Sequence, residues 1–403
     1  MDCKTIGATI MGLRKKCGWT QCELAKRLDV TDKAVSRWES GQGYPDITIL
    51  PRLAEAFDVS IDYLMLGERK GIAIVGNMLL DIIKTISDYP KSGMLAFTTD
   101  ISYAVGGCVP NTAINLAKID PTLPISAIGK LGTDENGRFV LSQLQRNGVN
   151  VSKVTFSATT STSFSDVMSV PSGERTFFHH RGANADFSPE DIDLDSLNCD
   201  LLHIGYPLLL DRFDERDPEY GTVMARFLHD VQTRGIKTSL DTVSDSSPKF
   251  SETVIPALRY CNYVIINEIE CCNIWGLEAR RKDDSLNREN LHIAMQKTLD
   301  AGVRDRVIVH CKERSFIMDP EKRVLEVPSL RIPKELIKGS VGAGDAFCAG
   351  CLYGIFNNYG DKQILEFASS AAACNLFAAN SVDGMKNKNE ILKMEKIYGR
   401  LSE

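Results

Sequence analysis

The sequence predicts two bodies in tandem: a small all-α unit of five short helices, then an α/β domain whose doubly wound, mostly parallel sheet carries helices on both faces. Three observations carry this expectation. Residues 5–66 read helical throughout, with breaks at Gly18, residues 29–30, 41–45 and 58–59. From residue 200 onward, short apolar runs (LLHIGYP, IKTSLDTV, YVIINEIE, RVIVHC) alternate with helical segments, as strand–helix–strand crossovers do. The length of 403 residues exceeds one ordinary small domain, and an apolar fraction of 43% is ample for a buried core.

Composition narrows the class. A net charge of −6 argues against a chain that coats nucleic acid or membranes as a whole. Twelve cysteines lie at irregular spacings and read as reduced thiols, with no zinc site expected from them. The first residues lack the apolar stretch of a signal peptide, and apolar windows such as 201–210 are too short to span a bilayer. The expected setting is cytoplasmic, without membrane contact.

In the first unit, Thr20 is placed to cap the second helix, with Glu23 three residues on completing a capping box, and Thr31 to cap the third. Leu24, Ala25, Leu28, Val30, Val35 and Trp38 fall where a small helical core needs them. Only Asp29 and Val30 remain between those helices, a turn of helix-turn-helix length. The text LRKKCGWTQCELAKRLDVTDKAVSRWESGQGYPDITILPRLAEAFDVSIDYLM resembles the Cro/repressor, or XRE, class of helix-turn-helix domains. In that class the third helix enters the major groove and the second crosses the DNA backbone. The resemblance implies that Gln21 touches phosphate, that Asp32, Lys33 and Arg37 face the bases, and that Trp38 is core. Residues 1–70 hold 11 Lys and Arg against 10 Asp and Glu, so DNA binding would rest on a few placed contacts and on a homodimer. The DNA-binding domain is expected at 1–68 and the larger domain at 69–403. The linker 67–71 is short enough to make contact between them an expectation.

The larger domain opens with a buried strand, IAIVG, and Asp81 follows in GNMLLDI, where it either caps a turn or binds a ligand. Gly106, Gly107 and Asn111 form the next island. Asn111 could cap a helix or face solvent; alternatively the glycine pair admits a polyol that Asp81 and Asn111 hydrogen-bond. Gly129, Gly132, Asp134 and Gly137 precede a long helix, and residues 151–180 turn β-like. The stretch KGSVGAGDAFCAG, residues 338–350, reads as a glycine loop opening a helix, a ready site for phosphate. Asp345 at such a helix start is either an ordinary acidic first-turn residue or a base that accepts a proton from a hydroxyl attacking the phosphate. Ligands are expected at the carboxyl ends of the strands, with Asp241, Asn267 and the 342–345 loop each following a strand.

In order, GNMLLDI, GGCVPNTA, GKLGTDENG, NEIE and GSVGAGDAF resemble the PfkB, or ribokinase-like, carbohydrate kinase family. The resemblance implies a small β lid, here from about 97–103 and 162–178. It implies transfer of the γ-phosphoryl group of ATP to a hydroxymethyl group of a sugar or nucleoside. Asp345 would be the base, and the amides of Gly342, Ala343 and Gly344 would hold the transferring group. Asp81, Gly106, Gly107 and Asn111 would grip the sugar; Asn267 and Glu270 would organise Mg²⁺ through water. Ser340 and Lys312 would lie near the nucleotide, and a monovalent cation is a further candidate. Because phosphoryl transfer is largely dissociative, Asp345 needs no raised pKa. Two departures stand out. Gly339 and Ser340 replace the family's usual Asp-Thr, and Lys312 and Ser315 stand where glycines are common. His179 and His180, adjacent in a β-like segment, point to opposite sides and do not share an ion. Arg175 and Arg181 could meet an acidic sugar. The chain thus reads as a small-molecule kinase with an appended DNA-binding module, or alternatively as a regulator whose kinase-like domain senses its ligand.

Overall fold

The computed structural model describes residues 3–402, except 60, 67–69, 171–174 and 245–248. Most of the linker and part of the second lid segment therefore lie outside the described residues. The chain divides into two compact units, 1–70 and 71–403.

The first unit is built from α1 (Cys3–Lys16), α2 (Gln21–Leu28), α3 (Asp32–Glu39), α4 (Leu50–Phe57) and α5 (Ile61–Leu66). Thr20 and Glu23 form a reciprocal capping box, with the Glu23 amide donating to Thr20 Oγ1 at 3.2 Å and the Thr20 amide to Glu23 Oε2 at 2.7 Å. Asp29 closes α2 in the left-handed region at φ 54°, and Thr31 accepts from the Ala34 amide at the head of α3. Ile6, Ile10, Leu24, Leu28, Val35, Leu53 and Leu64 are buried together, and Trp38 joins them.

The second unit is a three-layer α/β structure. Its nine-stranded sheet runs β15 (Val324–Pro328), β14 (Arg314–Met318), β13 (Arg306–His310), β12 (Tyr263–Asn267), β11 (Lys237–Leu240), β8 (Leu201–Gly205), β1 (Ile72–Gly76), β4 (Ile125–Gly132), β5 (Asn150–Ser157). All pairs from β5 to β13 are parallel, and the last two are antiparallel. β1 shows why its sequence is apolar without a break. Ile72 and Ile74 join one hydrophobic core while Ala73 and Val75 join the other, so both faces are covered. The chain leaves β1 first toward β4 and later returns to β8 on its other side, which puts the topological switch point between the ends of β1 and β8.

A second sheet of four strands runs β3 (Thr98–Gly106), β2 (Leu79–Ile86), β6 (Phe164–Ser169), β7 (Arg175–His180). A hairpin of two-residue strands, β9 (Arg216–Asp217) and β10 (Gly221–Thr222), precedes the helix Val223–Thr233. Two antiparallel strands that the sequence reading does not name, β14 and β15, lie between β13 and the 342–345 loop. Each is five residues long and interrupted by charge in the sequence, too short to declare itself by pattern. Among the described residues, no helix is long and apolar enough to cross a membrane.

Candidate active site

Asp345 occupies the first turn of the helix Ala343–Phe356. Gly342, its N-cap, has φ 75°, and a Cβ there would fall 2.3 Å from Ser381 Cβ, so only glycine fits. The Ala343 amide closes a turn on the Ser340 carbonyl (3.2 Å). Of the three amides expected to face an anion, only this one has an acceptor among the described hydrogen bonds, leaving those of Gly342 and Gly344.

Asp345 is only 8% exposed, yet both its oxygens have donors. Asn111 Nδ2 donates to Oδ2 at 3.0 Å, and the Tyr206 hydroxyl donates to Oδ1. Burial raises the Asp345 pKa to about 6, against the downward pull of those two hydrogen bonds. The expected chemistry does not require this rise; burial of the helix start produces it. Asn111, in the helix Cys108–Ile119, neither caps nor faces solvent: it is buried against the carboxylate, with its own Oδ1 unpartnered.

Asp81 lies on β2. Burial raises its pKa to about 7, helped by the Asp345 carboxylate and opposed by Arg175. A Cβ on Gly106 would stand 2.5 Å from Asp81 Oδ2, so that glycine makes room for the carboxylate. A Cβ on Gly107 (φ 88°) would likewise stand 2.7 Å from the Asn77 carbonyl oxygen. Three residues that sequence reasoning missed complete this end of the crevice. Tyr206 directly follows β8; Asn77 and Asn184 each commit a side-chain oxygen to a backbone amide, of Cys108 (2.9 Å) and Met78 (3.0 Å), and leave a buried NH₂ unpartnered. The only available signals were the asparagines of GNM and RGAN, both short of a recognisable spacing.

Asn267 caps the helix Glu268–Asn273 in a capping box with Glu270. Glu270 Oε1 also accepts from Asn267 Nδ2 (2.7 Å) and Ser244 Oγ (2.8 Å), and burial raises its pKa to about 7. Asp241, just past β11, is buried and raised well above the ordinary range by desolvation and by its neighbours Glu270 and Asp345. Asp241, Glu270 and Asp345 are buried and Asp81 is half-buried, four acids without an ion pair among the described residues. Buried negative charge of this density calls for protons or a cation.

Comparison with known proteins agrees with this geometry. The family described as pfkB family carbohydrate kinase matches residues 69–387, most of the chain. The protein belongs to that family. A second family, described as helix-turn-helix, matches residues 10–64. Among curated proteins, the kinase is 30% identical to fructokinase-1 of Zea mays over 352 residues, covering 82% of this chain and 99% of that one. It is 24% identical to the deoxyribokinase of Salmonella typhi over 334 residues, covering 82% and 98%. Among solved structures, Arabidopsis thaliana ribokinase complexed with ribose and ATP superposes with a TM-score of 0.68 at 21% identity, covering 82% of this chain and 99% of that one, which shows a shared fold.

The two departures have physical accounts. A Cβ on Gly339 would sit 3.2 Å from the Ala378 carbonyl oxygen and 3.3 Å from that of Ala379, so the usual aspartate would need that loop to give way. Lys312, expected near phosphate, pairs instead with Asp284, beside a turn in which Arg280 binds both Glu268 and Glu313. Ser315 is buried in β14, its hydroxyl 3.4 Å from the Val327 carbonyl oxygen, and Ser340 is exposed. His179 and His180 bond separately to Ser165 and Ser161. Arg181 is committed to the Leu208 carbonyl (3.0 Å) and to Asp211.

His203, Asp241 and Cys348 bring ligand atoms within 4.8 Å of one another. His203 Nδ1 is already bonded to Ser239 Oγ (3.1 Å), with Nε2 3.5 Å from Cys348 Sγ. Cys348 and Cys351 stand in C-x-x-C spacing, a pair overlooked when the cysteines are read as irregular, but both are buried inside a helix rather than on a metal-binding turn.

In the first unit, Gln21 Nε2 donates to Glu39 Oε2 (2.8 Å), and Arg14 grips the same carboxylate with Nε and Nη2 at 2.6 and 2.8 Å. This network ties the start of α2 to the end of α3. Asp32, Lys33 and Arg37 are exposed on α3.

Proposed function

We propose that the kinase transfers the γ-phosphoryl group of ATP to a hydroxymethyl group of a sugar or related small molecule, and that its first unit binds DNA. The observation that carries the first part is Asp345: a buried, doubly hydrogen-bonded carboxylate at a glycine-opened helix start, in electrostatic contact with Asp81 on the second sheet. In this reading Asp345 takes the proton of the attacking hydroxyl. The amides of Gly342 and Gly344 stabilise the transferring group, joined by Ala343 once its turn opens. Asp81 and Asn111, beside Gly106 and Gly107, orient the sugar, with the unpartnered NH₂ groups of Asn77 and Asn184 as further donors. The cluster of four acids fits a divalent cation: Glu270, fixed by Asn267 and Ser244, would hold Mg²⁺ through water, with Asp241 beside it. When bound, Mg²⁺ neutralises phosphate charge.

ADP release from Mg-ATP across ketoses, aldoses, sugar acids and nucleosides tests this reading. Turnover with one class is expected, falling about 10²- to 10⁴-fold in Asp345→Asn. The Lys312–Asp284 pairing supports a second reading, a regulator whose kinase-like unit only senses its ligand. Silence across the panel, with ligands still raising the melting temperature, would favour it.

For the first unit, the exposure of Lys33 and Arg37 on α3 supports base contact. Selection from a random DNA pool should yield a preferred sequence, and Arg37→Ala should weaken binding to it roughly tenfold or more without changing the melting temperature. Failure to select any sequence would point to a protein partner instead. A homodimer is supported by Ile101, Tyr103 and Phe178, exposed on one face of the four-stranded sheet.

A further inference from the structure

Tyr206 is the one donor on the candidate base that the proposed reaction does not use. Its phenolic O–H makes to Asp345 Oδ1 the contact that an attacking alcohol must make before giving up its proton. The other oxygen is held by Asn111, and the carboxylate is nearly closed off. An alcohol therefore reaches this base by replacing a donor. Asn111 is buried within a twelve-residue helix, whereas Tyr206 is half-buried and begins a turn, with the Leu209 amide donating to its carbonyl at 3.2 Å. Tyr206 is the replaceable one.

The turn is also tied to the second sheet. Leu208 within it has φ 74°, a region that disfavours a side chain, and its carbonyl is gripped by Arg181. Arg181 directly follows His180, the last residue of β7, and holds Asp211 beyond the turn as well. Movement of that sheet toward a bound sugar would pass through Arg181 to the Tyr206 turn. Burial and nearby carboxylates push the phenol pKa further up, so it remains a donor.

We propose that Tyr206 is a positioning residue that caps Asp345 until the hydroxymethyl group of the sugar displaces it, and that the cap keeps water from serving as acceptor. This rests on Asp345 being the base. Uncapped, Asp345 would take a proton from water as the water oxygen bonds to Pγ and the bond from Pγ to the bridging oxygen breaks, giving ADP and inorganic phosphate.

The test is ADP release from Mg-ATP alone, with no sugar, by wild type, Tyr206→Phe, Arg181→Gln and the double variant Tyr206→Phe/Asp345→Asn. Phe keeps the ring and removes only the donor. Hydrolysis should rise roughly ten- to a hundredfold in Tyr206→Phe, within the range a general base supplies, and less in Arg181→Gln. The double variant should lose the gain, which a merely structural role for the hydroxyl would not produce. Wild-type rates in Tyr206→Phe and Arg181→Gln alike, or a gain that survives loss of Asp345, would overturn the cap. The sugar panel fails separately: a wild type silent on every sugar, with Tyr206→Phe hydrolysing ATP through Asp345, would keep the cap and sink the assigned substrate class.

Discussion

Two charged clusters in the larger unit contrast sharply. At the turn after β13, Arg280 holds Glu268 and Glu313 while Lys312 meets Asp284, so each charge has a partner. Around the strand ends, Asp241, Glu270 and Asp345 are buried and Asp81 half-buried, and none of the four makes an ion pair among the described residues. The first arrangement is what a fold needs to bury charge at tolerable cost. The second costs stability and persists only where something else supplies the countercharge. Pairing thus suits scaffold, and its absence supports the proposed ligand site.

The largest effect on stability should come from breaking the paired cluster. Arg280→Ala leaves Glu268, 7% exposed, buried without its cation, and should cost about 3 kcal/mol or more in denaturant unfolding. A loss below about 1 kcal/mol would mean that water compensates the glutamate and the contrast between clusters is weaker than drawn.

The unpaired cluster should respond in the opposite direction. With its folded pKa raised to about 7, Asp81 binds its proton more tightly folded than unfolded, so its contribution falls as pH rises from about 4 through 7. Asp81→Asn removes that titration. The variant should be more stable than wild type by about 4 kcal/mol at pH 8, and by only about 1 kcal/mol at pH 4.5. Taking variant minus wild type cancels the opposite slope of His203 and His310, whose pKa values desolvation lowers to about 3 and about 4. A difference independent of pH would show that Asp81 stays ionised, with Arg175 as its real partner.

What the sequence disclosed follows the same division. Gly342 and Asp345 were legible because a left-handed glycine followed by an acid at a helix start is a local signal, complete within four residues. The capping box at Thr20, with its partner Glu23 three residues on, is visible for the same reason, whereas the one at Asn267 was not read from the sequence. Tyr206 was not legible: its hydroxyl meets a carboxylate 139 residues away, and nothing around LLHIGYP requires a tyrosine. Asn111 could be singled out, but not its role, because its partner lies 234 residues on. The raised pKa of Asp345 is a property of the closed crevice and of no segment alone. β14 and β15 escaped because a five-residue strand carries too few alternations to stand out from a loop.

The smallest expected effect concerns Lys312, and it separates the clusters most finely. Its ammonium and the Asp284 carboxylate are 61% and 71% exposed, so their pairing is a surface contact that salt screens. Lys312→Ala should leave the melting temperature unchanged. If Lys312 belongs to the scaffold side, the KM for ATP should also change less than about twofold, well under the tenfold that 1.4 kcal/mol represents. If ATP draws it from Asp284 onto a phosphate, the KM should rise about tenfold at low salt and the difference should shrink as ionic strength increases. Asp284→Asn supplies the converse: freeing the lysine should lower the KM in the second case and leave it alone in the first. A rise in KM for Lys312→Ala with a fall for Asp284→Asn would show that this surface pair is exchanged on nucleotide binding, moving Lys312 from scaffold to site.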